Sequence, residues 1–216
     1  VALYRLDATA ADIAQRFGAD QGDDPWAGDY VAPGRFAPVI IRGRDRVRRL
    51  VPRLFGVPPP PAAALSGGRP VTTVRNLESP FWIGNLRHTE FRCLIPATAF
   101  PLWGPETDRD RGRRVQHFLG VTAQPIFAFA GIWRDSEVMS FAILTCEPNR
   151  LVGAFHASAM PVILHAEQYE DWLRGDWKQA HKLVAPFPSQ LMQDAVAGRD
   201  IARLGHILRP DNRLVE

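Results

Sequence analysis

The apolar positions of this chain come in short blocks, separated by clusters of Gly, Pro, Asp and Asn. That is the pattern of strands divided by turns. It predicts strands over Pro38–Arg42, Val47–Leu54, Val71–Arg75, Phe91–Ala97, Gln116–Val121, Ile126–Trp133, Val138–Thr145 and Pro161–Leu164. Ile126–Trp133 is apolar almost from end to end, as a strand covered on both faces has to be. Helical spacing shows near the start, over Ala8–Phe17, where Ile13, Ala14 and Phe17 share a face. Asp7 or Thr9 supplies the cap there, and Gly18 ends the helix. The same spacing returns over Ala166–Leu173, Trp177–Val184 and Ser189–Val196. Asp20–Gly34 reads as loop, Pro58–Pro61 as a stiff extended connector, and the stretch after Gly198 has no assignable pattern. No segment repeats. The expectation is one α+β domain over residues 1–216, mostly β, with helices at its two sequence ends.

With 216 residues, 46% of them apolar and 23% charged, the chain can fill one sizeable core. Its longest apolar stretch, Pro125–Trp133, is too short for a membrane-crossing helix. The opening Val1-Ala2-Leu3-Tyr4-Arg5 lacks the basic-then-apolar order of a secretory signal. Cys93 and Cys146 lie in apolar blocks, with no second Cys or His at ligand spacing. They read as reduced, buried thiols, so no metal, cofactor or membrane is expected and the compartment reads as cytoplasmic. The net charge is only +3, yet the cations are nearly all arginine, with Lys178 and Lys182 the only lysines. Arginine's planar fork matches phosphate oxygens. The densest run, Arg42–Arg49, is therefore either a solvated face or a nucleic-acid contact. A second set, Arg109, Arg111, Arg113 and Arg114, is diluted by Glu106, Asp108 and Asp110.

Six segments carry more information together than singly. They are Tyr30-Val31-Ala32-Pro33; Val71–Asn76 with Ser79-Pro80-Phe81-Trp82; Arg92–Phe100; Phe127–Trp133; Thr145–Asn149; and His156–Leu164. In this order they resemble a subgroup of the SRAP family, the SOS response-associated peptidases, over roughly residues 1 to 185. The resemblance implies a twisted, barrel-like β fold with a basic cleft for single-stranded DNA. It implies, for active members, an N-terminal Cys whose thiol and amine trap the aldehyde of an abasic site as a thiazolidine. An Asn, a Glu and a His surround that Cys, and an Arg holds the DNA backbone.

Carried onto this chain residue by residue, the pattern breaks where the chemistry sits. Val1 stands at the Cys position and has no sulfur. Tyr30 and Thr73 each replace an expected Asn, Leu102 the carboxylate, and Phe55 a Trp before Gly56. Arg75 and His156 match, while Ser158 replaces a basic residue. Tyr30 and Leu102 would partly fill a pocket that otherwise admits a deoxyribose. The resemblance thus implies a catalytic set of His156 with the α-amine of Val1, and a DNA-binding set of Arg75, Thr73, Tyr30 and Trp82. Each has a plainer alternative. His156 is a proton shuttle or a hydrogen-bonded remnant; Arg75 holds a phosphate or pairs with Glu78; Trp82 and Trp103 stack on bases or pack in the core. A neutral Val1 amine forms at most a reversible imine with an aldehyde. Three functions follow. One is a DNA-repair-associated protein that binds single-stranded or abasic-site DNA with its crosslink chemistry lost. Another is an inactive interaction module for a DNA-repair protein partner. The last is a weak lyase or autopeptidase using Val1 and His156.

Overall fold

The computed structural model describes residues 3–110 and 112–196, so Val1 and the stretch after Gly198 lie outside the described residues. The first half runs β1 (Tyr4–Leu6), α1 (Ala10–Phe17), β2 (Asp29–Val31), β3 (Phe36–Arg42), β4 (Arg48–Phe55), α2 (Pro61–Leu65), β5 (Thr73–Val74), α3 (Ile83–Arg87) and β6 (Arg92–Ala97). Next come β7 (Phe100–Asp108), β8 (Arg113–Val121), β9 (Phe127–Arg134), β10 (Ser140–Cys146) and α4 (Arg150–Gly153). The last are β11 (Met160–Pro161), β12 (Ile163–Leu164), α5 (Tyr169–Arg174), α6 (Trp177–Ala180) and β13 (Met192–Val196).

Five strands close on themselves. β10 lies parallel to β4, β4 antiparallel to β3, β3 to β6 and β6 to β9, and β9 returns antiparallel to β10. A closed ring leaves these strands no unpaired edge, which is the twisted, barrel-like α+β fold the resemblance implied. Every residue of β6 and β10 is buried, as are the first six of β9. That explains why their sequences are apolar without alternation. Aromatic rings fill the interior: Tyr4 meets Phe55 and Phe129 edge-on at 5.6 and 5.7 Å, and Phe55 stacks on Phe141 at 5.0 Å. β5 and β11 flank β10, and β12 flanks β9. A separate antiparallel sheet runs β13-β8-β7, and the β1–β2 ribbon joins the body through a bridge from Arg5 to Ala99.

Local chemistry sets the ends of α1. Thr9 rather than Asp7 is the cap: its hydroxyl accepts from the Asp12 amide at 3.2 Å, while the Asp12 carboxylate accepts from Thr9 in return. Gly18 closes the helix at φ +58°, a left-handed conformation that glycine adopts without strain. The proline connector ends by becoming the first turn of α2, where Pro61 loses no helical hydrogen bond. The helix expected over Ser189–Val196 is corrected to a single 3-10 turn, Ser189–Leu191, followed by strand β13. The open edge of β8 decides this, because Met192–Val196 pairs with Val121–His117 along its whole length. β7 was not foreseen either. Gly104 and Pro105 fall in a bulge between Trp103 and Thr107, which holds them within the strand.

Candidate functional site

Arg75 lies beside the segment that follows His156, at one end of β10. β5 pairs parallel with β10, Thr73 opposite Ile143, which delivers Arg75 beside the strand's last residues. β11 pairs on the other side, Met160 opposite Cys146, and brings the preceding His156 turn alongside. The exposed Arg75 donates from Nη2 to the Ser158 carbonyl at 2.8 Å. Among the described residues no carboxylate pairs with it. Glu78, the partner in the alternative reading, sits in a turn where its own amide donates to Asn76 Oδ1 at 3.0 Å. Thr73 is half-buried in the ladder.

His156 is exposed and follows α4 in a tight turn, its amide donating to the Gly153 carbonyl at 2.9 Å. Its φ is +58°, a left-handed value that costs a side-chain-bearing residue free energy. Asn149 anchors this turn, capping α4 by accepting from the Val152 amide at 2.9 Å and donating to the Phe187 carbonyl at 2.6 Å. Among the described residues no side chain bonds to the His156 imidazole.

The other expected residues lie apart from this pair or face inward. Tyr30 is 3% exposed on β2, packed with Leu3 and Phe118. The Arg5 guanidinium lies over both rings, 5.4 Å from Tyr30 and 5.2 Å from Phe118. Trp82 is 4% exposed and meets Phe81 edge-on at 4.4 Å, so its faces are spent on protein, whereas Trp103 is exposed. Leu102 is half-buried on β7, directly across from His117 of β8.

His117 carries a polar cluster that the sequence reading missed. Nδ1 faces both oxygens of Asp194 at 3.0 Å, and Nε2 binds the carboxylate of Glu106. Burial pushes the His117 pKa down, but hydrogen bonds and charge from Glu106 and Asp194 outweigh it and raise the pKa above its ordinary value. Glu106 is held below its usual value by its own backbone amide and then by His117. With a carboxylate on each ring nitrogen, His117 has no nitrogen left for a substrate proton. The carboxylates lie on opposite sides of the ring, and among the described residues no group of three or more His, Cys, Asp or Glu converges as a metal site. The ring packs edge-on against Phe155 at 4.9 Å, so the cluster braces the turn that presents His156. Only tertiary pairing reveals it, because Glu106 reads as a diluting charge and Asp194 as a helix residue.

Both thiols are buried. Burial pushes Cys93 far above the ordinary thiol range and Cys146 up to about 12. No helix among the described residues is long and apolar enough to cross a membrane.

The sequence model of SRAP, SOS response associated peptidase, matches residues 2–201. Among solved structures, a protein from Bacteroides thetaiotaomicron superimposes with TM-score 0.76 at 22% identity, covering 99% of this chain and 97% of that one. A protein from Bordetella bronchiseptica gives 0.73 at 19% identity over 91% and 99% of the two chains. A phage-related protein from the same organism gives 0.69 at 16% identity over 92% and 95%. At these identities the likeness establishes the fold. No curated protein matches the sequence.

Proposed function

Because this chain belongs to the SRAP family, and with it to a DNA-repair-associated role, we propose that it binds single-stranded or abasic-site DNA through Arg75 without closing the thiazolidine crosslink. The observation that carries this reading is the state of Arg75. It is exposed, fixed beside the His156 turn by one hydrogen bond, and without a neutralising carboxylate among the described residues. The rest of its donor fork suits a phosphate, and phosphate contacts supply affinity whether or not a nucleophile is present.

The loss of the crosslink rests on the donor set. Ring closure needs a thiol and an amine on one residue, and the residue that the resemblance sets at the Cys position, just before Ala2-Leu3-Tyr4, is Val1. Cys93 and Cys146 are buried thiols whose pKa values favour the unreactive protonated form. Leu102 offers no proton transfer where a carboxylate was expected, and both His117 nitrogens are spent. His156 is left as an exposed imidazole that no carboxylate among the described residues orients, an incomplete acid–base site.

Two measurements on the full chain test this. Fluorescence anisotropy with a labelled single-stranded oligonucleotide is expected to show binding that weakens as salt rises. Denaturing electrophoresis with an abasic oligonucleotide is expected to show no heat-stable adduct. A stable adduct without reductant would overturn the loss of chemistry, and absence of any DNA binding would overturn the role of Arg75.

A further inference from the structure

The arginine-rich turn lies at the opposite end of the barrel from Arg75. The Leu54 end of β4 sits against β10, while the β3–β4 turn begins beyond Arg48, about 20 Å away along the strand at the usual rise per residue. There the turn, the segment before β6 and the end of α5 enclose a cleft of about 340 Å³. Its lining includes Arg42, Arg44, Arg46, Arg174 and His88, with Glu90 the one carboxylate among them.

The arginines of this region divide into two groups. Arg42 and Arg48 are committed: Arg42 donates to Glu170 at 3.1 Å, and Arg48 grips the same carboxylate with Nε at 3.0 Å and Nη2 at 2.5 Å. Arg48 also reaches the Phe17 carbonyl at 2.9 Å, so the base of the hairpin is fixed to α1 and α5. Arg49 is likewise spent on Asp45. Arg44 and Arg46 are exposed and meet no carboxylate among the described residues. Arg174 lies 3.9 Å from a Glu170 that two other arginines already occupy. Arg42 also donates to the Arg46 carbonyl at 3.0 Å, and Arg46 adopts φ +69°, which sets the shape of the turn. The result is a rigid base holding unneutralised guanidinium groups at the rim of a cleft. Rigidity of this kind lowers the entropic cost of binding.

We infer that this cleft is a second anion site, built for a phosphate-bearing ligand and separate from the surface around Arg75. Guanidinium forks give two parallel hydrogen bonds to phosphate oxygens, and several around one cleft favour a polyanion over a single carboxylate. The phosphates belong either to a free polyphosphate or to a nucleic-acid strand.

Calorimetric titration of the full chain with pyrophosphate at low salt tests the inference. Saturable binding is expected, weakened about tenfold or more in Arg44→Ala/Arg46→Asn and unchanged in Arg75→Ala. Asn tolerates the left-handed backbone at position 46, and Arg44→Ala alone provides a second variant at an exposed position. No saturable binding, or equal binding by both turn variants, overturns the inference. In an Arg75→Ala background, displacement of a bound single-stranded oligonucleotide by pyrophosphate assigns the phosphates to a strand. Pyrophosphate binding without displacement assigns them to a free ligand. The Arg75 reading stands or falls separately, on oligonucleotide binding by Arg75→Ala in the presence of saturating pyrophosphate.

Discussion

At the scale of single residues, Arg75 and His117 show two fates of a charged side chain. Among the described residues Arg75 makes one hydrogen bond, to a backbone carbonyl, and the proposed function gives its other donors to a phosphate. Arg75→Ala is expected to weaken single-stranded DNA binding by about 1–3 kcal/mol, the range for hydrogen bonds to a charged group. The slope of log affinity against log salt should fall by about 0.7, the value for one phosphate on a single strand. Anisotropy at several salt concentrations reads both, and unchanged values in a folded variant would remove Arg75 from the site. His117 is instead fully engaged between Glu106 and Asp194. Its folded pKa is raised, so its contribution to stability is complete below the ordinary histidine pKa of about 6.5 and is lost as pH rises through the higher folded value. The lowered Glu106 pKa acts in the other direction, and its share is lost as pH falls below about 4.3. Urea unfolding should therefore show wild-type stability declining from pH 6 to 9, with a flatter profile in His117→Gln. Parallel profiles would show that the cluster does not stabilise the fold.

At the scale of elements, what was legible depended on whether a segment's partner mattered. β6, β9 and β10 are buried on both faces, so apolar content alone identifies them. α1 announces itself through Thr9, Asp12 and Gly18, which are local signals. β7 and β13 do not, because their pairing is decided across the sheet by β8: one strand needs a bulge to hold Pro105, and the other borrows an edge. The Arg75–Ser158 contact and the His117–Asp194 pair were hidden for the same reason, each joining residues more than seventy positions apart. A close approach inside the ring gives an element-scale test. A Cβ on Gly131 of β9 would collide with Ile95 of β6, 2.6 Å from Cγ1, and come within 3.1 Å of Cys93 Sγ. Ile95 and Cys93 are themselves fully buried, so neither has room to retreat. Gly131→Ala is expected to cost about 1–3 kcal/mol from overpacking, and Ile95→Val should recover part of it in a double-mutant cycle. Additive costs in chemical denaturation would mean that β6 and β9 do not meet at this point.

At the scale of the whole molecule, closure of the strand ring sets which of the two buried thiols a reagent reaches first. Cys93 lies on β6 between β3 and β9, with 0% exposure, so reagents reach it only when the ring opens. Cys146 is the last residue of β10 and pairs only with the two-residue β11, so local fraying there exposes it first. Its pKa of about 12 leaves about one thiolate in ten thousand at pH 8. In native buffer at pH 8, Ellman's reagent should therefore label Cys146 slowly and Cys93 more slowly still. Along a guanidinium series, Cys93 labelling should follow the loss of circular dichroism, as expected for a site that opens only with global unfolding. Cys146→Ser isolates the Cys93 signal, and Cys93→Ser the other. Rapid labelling of Cys93 in the folded protein would break the closed-ring description. Slow labelling of both is the outcome expected of two thiols that the fold keeps buried.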